Sequence, residues 1–346
     1  MTVGAGLESV ARRTWAARTP GARALRAALV PAAAAYGALA TLRNRLYDRG
    51  WLGTRRVPAH VVSVGNIVVG GTGKTPTALW LAERLAGRGY RTGIVARGYR
   101  KRRRGVVLVG AEGRPFVSPE EGGDEAVMLA RRFHGPVVTG ERRAEAAAFA
   151  CGRFGLDAIV LDDGFQHRGL ARDADLVLLA PEAAGSWPLP AGPLREPAAG
   201  LARARAVLAL DGAGPAPPGL PFFRARLLPI ALVRAAAEDW VEEPLAALAG
   251  QGVTAVAGVA DPERFVATLT RAGATVRRVL RFPDHHASGM RATARIVAAA
   301  SEGPVITTEK DLVKLAGLRG LEALRALRVA LEVEDGDALL DLLTQP

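Results

Sequence analysis

Short apolar runs alternate along this chain with longer stretches in which apolar residues recur every three or four positions. Val61-Val62-Ser63-Val64 is β-branched and predicts a buried strand, and Leu79, Leu81 and Leu85 after Pro76 mark one face of a helix. The alternation continues. Strands are expected at 91–96, near Val106–Val109 and Pro136–Val138, and at 158–161, 175–179 and 206–210. Helices are expected near 124–132 and 144–154. Strands alternating with helices predict an α/β fold, a mostly parallel doubly wound sheet, in which ligands sit at the carboxyl ends of the strands.

Residues 211–221 are rich in proline and glycine and read as the clearest linker. Beyond them, Phe222–Val233 reads as two extended pieces broken at Pro229. A second alternation follows: strand 253–259, helix 262–272, strand 275–280, helix 292–300 and strand 305–307. The expected division is therefore an N-terminal helical segment (1–52), a first α/β domain (53–215) and a smaller α/β domain (216–346). The last helix is expected to pack back on the first domain.

Composition changes this picture at one end. The chain has 346 residues, 49% of them hydrophobic, and a net charge of +12. That suits a globular protein with sizeable cores rather than a disordered one. Residues 1–60 hold ten arginines against Glu8 and Asp48, so +8 of the +12 sits there. Within this region Ala27 to Leu42 is nearly uncharged, with Arg23 and Arg26 before it and Arg43, Arg45 and Arg49 after. Crossing a bilayer takes about 20 residues, so the run is short for a span. Two readings fit: a helix anchored at an anionic membrane surface, or a buried alanine-rich helix. The one cysteine, Cys151, excludes an internal disulfide and fits a reducing compartment.

Three stretches carry chemistry. Between the first strand and its helix lies Val68-Val69-Gly70-Gly71-Thr72-Gly73-Lys74-Thr75. Glycines let backbone N–H groups converge on an anion, and the helix N-terminus adds its dipole. Lys74 suits the outer phosphates and Thr75 suits Mg²⁺. Val68 stands where the strict pattern has glycine, and a glycine-rich turn with a chance lysine is the bland alternative. The second stretch is Leu161-Asp162-Asp163-Gly164-Phe165-Gln166-His167-Arg168. Acid at a strand end is how Mg²⁺ is held beside substrate phosphates, although an Asp-Gly turn also caps strands. The third is Phe282-Pro283-Asp284-His285-His286, which offers a base from the second domain. Asp124 after Gly123 reads as a helix N-cap or as more. Arg195 and Glu196 close a proline-rich segment, and Thr308 to Asp311 follow a strand, where Thr308 and Asp311 read as capping residues or as more. The run Arg100–Arg104 reads as a solvated loop or as a grip on an anionic substrate. No nucleic-acid fold signature accompanies the basic charge.

Together these motifs resemble the tetraacyldisaccharide 4'-kinases, the lipid A 4'-kinase family of Gram-negative bacteria. The matching pieces are Gly65-Asn66 with Gly70 to Pro76, Arg97-Gly98-Tyr99, Gly123-Asp124-Glu125, Asp162 to Arg168, Pro190 to Glu196, Phe282 to His286, and Thr308 to Asp311. The resemblance implies transfer of the ATP γ-phosphate to the 4'-hydroxyl of an acylated glucosamine disaccharide phosphate. It implies Val68 to Thr75 as the phosphate cradle. It implies Thr75, Asp162, Asp163 and Glu196 at the Mg²⁺ site, Lys74 and Arg195 beside the transferring phosphate, and Asp124 with His285 activating the sugar hydroxyl. It further implies an N-terminal membrane-associating helix on the cytoplasmic face of the inner membrane, contacting anionic lipids, with no nucleic acid and no obligate protein partner. Two positions depart from the family pattern: Arg100-Lys101-Arg102 where glycines are usual, and Ala126 where proline is. The competing readings are a P-loop switch ATPase and a soluble small-molecule kinase.

Overall fold

The computed structural model describes residues 10–345 except 12, 181–182, 184, 213, 237–238, 260 and 283–289. In chain order the main elements are α1 (Pro20–Asp48), β1 (His60–Asn66), α2 (Lys74–Gly87), β2 (Thr92–Ala96), β3 (Val107–Ala111), β4 (Arg114–Pro115), α3 (Asp124–Arg132), β5 (Val137–Thr139), α4 (Arg143–Phe154), β6 (Ala158–Asp162), β7 (Ala174–Leu179) and β8 (Ala206–Leu210). Then follow β9 (Phe222–Ala236), β10 (Asp239–Pro244), β11 (Gly252–Ala257), α5 (Pro262–Arg271), β12 (Thr275–Arg281), α6 (Met290–Glu302), β13 (Val305–Thr308), α7 (Glu309–Leu315), β14 (Arg325–Val333) and α8 (Gly336–Thr344).

The fourteen strands among the described residues join one sheet, in the order β12-β11-β13-β14-β9-β8-β7-β1-β6-β2-β5-β3-β4, with β10 on β9. The fold is α/β with a mostly parallel sheet, as the alternation predicts. β1 sits between β6 and β7, parallel to both. Val62 and Val64 on it are fully buried, which suits a strand covered on both faces. Helix α2 packs Leu81 and Leu85 into that core.

One reading of the middle of the chain changes. Phe222 to Ala236 is one strand, not two pieces broken at Pro229. Against β14 the register slips, Val329 opposing Pro229 and Arg328 opposing Ala231, so Ile230 is passed over. A bulge there absorbs a residue that has no N–H for the ladder. The proline- and glycine-rich stretch after Leu210 connects β8 to β9, which are parallel neighbours, so the sheet continues through it. Strands β10 and β14 were not legible in the sequence, and helix α7 was marked there only by its cap, Thr308, whose hydroxyl accepts the Asp311 N–H.

The register of β9 positions the site. β8 pairs with its first residues, Phe222 to Ala225, whereas β13 pairs with Arg325 to Leu327 of β14, which lie opposite Leu232 to Arg234 of β9. The antiparallel ribbon β9–β14 thus carries one half of the sheet at each end. About nine residues separate the two attachments, roughly 30 Å of strand. Because the ribbon is antiparallel, the parallel strands of the two halves run in opposite senses. Their carboxyl ends therefore face each other along the ribbon.

Helix α1 begins at Thr19, whose hydroxyl accepts the Ala22 N–H, and contains Pro31. Among the described residues it is the one helix long and apolar enough to cross a membrane. Only Ala33 and Gly37 on it are buried, and Leu25, Tyr36, Leu39 and Leu42 are exposed. Gly37 lies against Pro188 and Pro197, where a Cβ would come within 3.2 Å of the Pro188 ring. Its one docked face therefore abuts the first half of the sheet. Helix α8 closes that half from outside: the Leu343 carbonyl lies 2.8 Å from His60 Nε2, and Asp341 pairs with Arg88.

Candidate active site between the two halves of the sheet

A cleft of about 1190 Å³ opens where the two sets of strand ends meet. The first half lines it with the loop from Val69 to Pro76, with Arg97 to Arg100 after β2, with Gly123 to Ala126 at the start of α3, and with Asp162, Asp163, Arg195 and Glu196. The second half contributes Val259, Asp261, Arg264 and Phe265 beyond β11, and Thr308, Glu309 and Lys310 beyond β13. Tyr36, Leu39, Ala40, Arg43 and Asn44 of α1 form a side wall.

The glycine loop is braced rather than loose. Asn66 Nδ2 donates to Thr72 Oγ1 at 2.8 Å, and Gln166 Nε2 donates to the Asn66 carbonyl at 2.8 Å. Gly73 precedes α2 with φ +86°, a backbone that side chains resist. Val68 is 2% exposed and packs with Ile67, Phe165 and Leu194. Its side chain belongs to the core, which is why a residue other than glycine is accommodated there. The backbone on either side pairs with the proline-rich segment: Val69 N–H donates to Pro193 O and Arg195 N–H to Ile67 O. That pairing carries Arg195 and Glu196 to the loop. At Gly65 the sheet comes so close to the turn after β6 that a Cβ would sit 2.5 Å from the Phe165 Cβ.

Below the loop, Thr75 Oγ1 donates to Asp162 Oδ2 at 3.0 Å. Asp162 is 5% exposed, and its other oxygen, Oδ1, is buried with no hydrogen-bond partner. Burial pushes its carboxyl up to about 7, with Glu125 and Asp163 adding to the shift and Lys74 opposing it. Such an atom wants a cation. Asp163 is differently placed. Arg195 grips both its oxygens at 2.8 and 3.0 Å, and Lys74 Nζ lies 3.7 Å away. Burial alone would raise its carboxyl, but Lys74 and Arg195 outweigh burial and hold it below the usual range. Glu196 is 3% exposed and has both oxygens occupied, by Gln166 Nε2, by Arg203 and by Asn44 Nδ2 of α1 at 2.8 Å. Of the three acidic candidates, Asp162 alone keeps an unmet oxygen.

Asp124 opens α3 and is 7% exposed, its Oδ1 accepting the Glu125 N–H at 3.0 Å. Gly123 before it has φ +93°, and a Cβ there would press on Gly98 at 3.2 Å, so two cleft loops touch at glycines. His285 lies outside the described residues, as does the rest of 283–289. In the basic run, Lys101 turns inward to the Gly105 carbonyl and to Glu141, and Arg100 lines the cleft.

Reading the sequence missed Tyr36 and Asn44, which attach α1 to this site; Tyr36 donates to the Arg195 carbonyl at 2.8 Å. Nothing in an alanine- and arginine-rich helix distinguishes them. It also missed Lys314, whose one signal is its position three residues after Asp311 on a helical turn.

The family model described as tetraacyldisaccharide-1-P 4'-kinase matches residues 25–345. A tetraacyldisaccharide 4'-kinase from Anaeromyxobacter dehalogenans (strain 2CP-C) is 42% identical over 343 residues, covering 91% of this chain and 89% of that one. Another, from Azoarcus sp. (strain BH72), is 41% identical over 326 residues, covering 91% and 90%. A crystal structure of the "apo" form of LpxK from Aquifex aeolicus in complex with ATP superposes with a TM-score of 0.80 at 33% identity, covering 92% of this chain and 98% of that one. With a family model spanning nearly the whole chain and relatives at this identity, the chain belongs to the tetraacyldisaccharide 4'-kinase family.

Proposed function

We propose that this protein transfers the γ-phosphate of ATP to the 4'-hydroxyl of a tetraacylated glucosamine disaccharide 1-phosphate, the lipid A precursor. One observation carries the reading. The glycine loop, Lys74 and the Thr75–Asp162 pair share a single cleft with Asp124, so a phosphate donor and an alcohol acceptor can meet there.

The backbone of Val68 to Thr75 cradles the donor phosphates, and Lys74 balances their charge. Thr75 Oγ1 and the unmet Asp162 Oδ1 fit Mg²⁺, a hard cation that prefers oxygen ligands. When bound, Mg²⁺ would neutralise charge on the phosphates. Asp163 holds Arg195 in place beside the transferring group, and Glu196 fixes the segment that carries Arg195. Asp124, with His285, takes the proton of the sugar hydroxyl, a poor nucleophile without such help. In this reading residues 1–52 face the membrane, 53–215 bind the donor and 216–346 complete the acceptor side. Helix α1 lies at the cytoplasmic face of the inner membrane among anionic lipids, its exposed Leu39 and Leu42 toward acyl chains. The reading requires neither nucleic acid nor an obligate protein partner.

The test is radiolabelled ATP with the detergent-dispersed lipid disaccharide 1-phosphate. Label on the 4'-position is expected. A folded, nucleotide-binding preparation that leaves the lipid unlabelled overturns the reading.

A further inference from the structure

Helix α7 meets the first turn of α3 with two lysines. Lys310 Nζ lies 3.0 Å from Glu125 Oε1, and Lys314 Nζ lies 3.5 Å from Asp124 Oδ2. Lys314 also lies 3.0 Å from Asp311 Oδ1, one turn earlier on its own helix. The three side chains of this bridge are nearly sealed from water: 14% exposed for Lys314, 9% for Asp124 and 5% for Asp311.

Asp311 is the fixed point. Its Oδ2 accepts the Gly258 N–H at 2.8 Å and the Thr308 hydroxyl at 3.0 Å, while its own N–H donates back to Thr308 Oγ1. Gly258 is required for this approach, since a Cβ there would lie 2.8 Å from Asp311 Oδ1. The carboxylate that holds Lys314 is therefore locked to the strand ends of the second half. Lys314 has a flexible stem, but between two buried carboxylates its ammonium has little freedom. A buried ammonium left without counter-charges is costly, so it stays between both.

We propose that Lys314 is a positioning residue for the phosphoryl transfer. It holds the Asp124 carboxylate aimed into the cleft, and so makes the acceptor chemistry of the first half depend on a cation supplied by the second. This rests on the kinase reading, in which Asp124 serves the sugar hydroxyl. Two features assign Lys314 this part and not a purely structural one. The carboxylate it meets lines the cleft, whereas the neighbouring Arg132–Glu309–Arg328 cluster already ties α3 to α7 and β14. The ammonium also lies on the side of Asp124 away from the backbone contact: it meets Oδ2, while Oδ1 accepts the Glu125 N–H. Each oxygen of the carboxylate thus has its own anchor.

The experiment compares the full-length wild type with Lys314→Met, Lys314→Arg, Asp124→Asn and the double variant Asp124→Asn/Lys314→Met. Each is assayed for lipid phosphorylation and for nucleotide affinity by equilibrium binding. Lys314→Met is expected to lower kcat at least 10-fold while leaving the KM for ATP and the nucleotide Kd within about twofold. Lys314→Arg should recover most of the loss, because it restores the cation. In the double variant, Lys314→Met should cost nothing further on top of Asp124→Asn, the mark of a residue acting through its neighbour. The proposal is overturned if Lys314→Met keeps wild-type kcat, or if its penalty is undiminished when Asp124 is already Asn. A loss that appears equally in nucleotide binding or in the thermal transition, and that Arg does not rescue, overturns it in favour of a structural role. Failure of the wild type itself to label the lipid removes the kinase reading instead, and the two outcomes are distinct.

Discussion

The two halves of the sheet meet the same cleft but are built by different rules. In the first half the site residues bind one another. Thr75 bonds Asp162, Arg195 and Lys74 converge on Asp163, and Asn66, Thr72 and Gln166 brace the loop. In the second half several residues at or beside the cleft bind across the gap. Glu309 accepts from Arg132 at 2.7 Å, Lys310 meets Glu125, and Lys314 meets Asp124. A donor site made of internal contacts keeps its shape alone. An acceptor site made of cross-gap ion pairs exists only while the halves are together. In the proposed reading the difference places phosphate binding and hydroxyl activation under separate structural control.

That contrast can be broken experimentally. The largest effect is expected from Lys74→Ala, which removes the cation of the donor loop: kcat/KM for lipid phosphorylation should fall about 10³-fold, with weaker nucleotide binding. Retention of a tenth of the activity would show that the loop does not carry the donor. Next is Glu309→Gln. It removes the carboxylate that Arg132 and Arg328, each 12% exposed, share, while Arg328 keeps Glu242. Breaking a buried pair of this kind costs on the order of 3 kcal/mol. Denaturant unfolding should register that cost while the nucleotide Kd of the folded protein stays near wild type. A loss of nucleotide affinity as large as the loss of stability would contradict the separation. The smallest effect concerns His167. Burial, helped by Arg143, Arg172 and Arg43, lowers its ring to about 4. Unfolded, the ring takes up a proton near 6.5; folded, it does so only near 4. Stability is thus complete above about 6.5 and declines as pH falls toward 4, on the order of 1 kcal/mol once the partial exposure of the ring is discounted. His167→Gln should flatten that slope in a pH series of thermal melts; an unchanged slope assigns the loss to other groups.

What could be read from the sequence follows the same divide. The first half was legible because its chemistry is contiguous: Gly70 to Thr75 occupies one turn, and Asp162 ends an apolar strand. Its alternating strands gave the parallel sheet. The second half was legible as elements but not as a site. Arg132 and Glu309 are 177 residues apart, and no local spacing pairs them. Strand β14 was missed because Arg325 and Arg328 interrupt its apolar run, and only the fold shows that they answer Glu243 and Glu309. Pro229 argued for a break in β9, a sound local inference that a bulge across from Val329 overrides. Glu196 was marked by the residues around it, but its bond to Asn44 of α1 lies 152 positions away.

The position of β14 has a consequence for how the protein is made. It is the last strand in the chain, yet in the sheet it lies between β13 and β9. During synthesis the strands of the first half can pair as soon as β8 and β9 emerge. Strands β11, β12 and β13 can gather into a patch of their own, but they have no seat on β9 until Arg325 to Val333 leaves the ribosome and slots between. Contacts of long sequence separation form late because their loop entropy must be met first. The expected order of assembly is thus the strands around the glycine loop first and the β11–β13 patch last, so a nascent chain holds a formed glycine loop before Lys310 and Lys314 can reach α3.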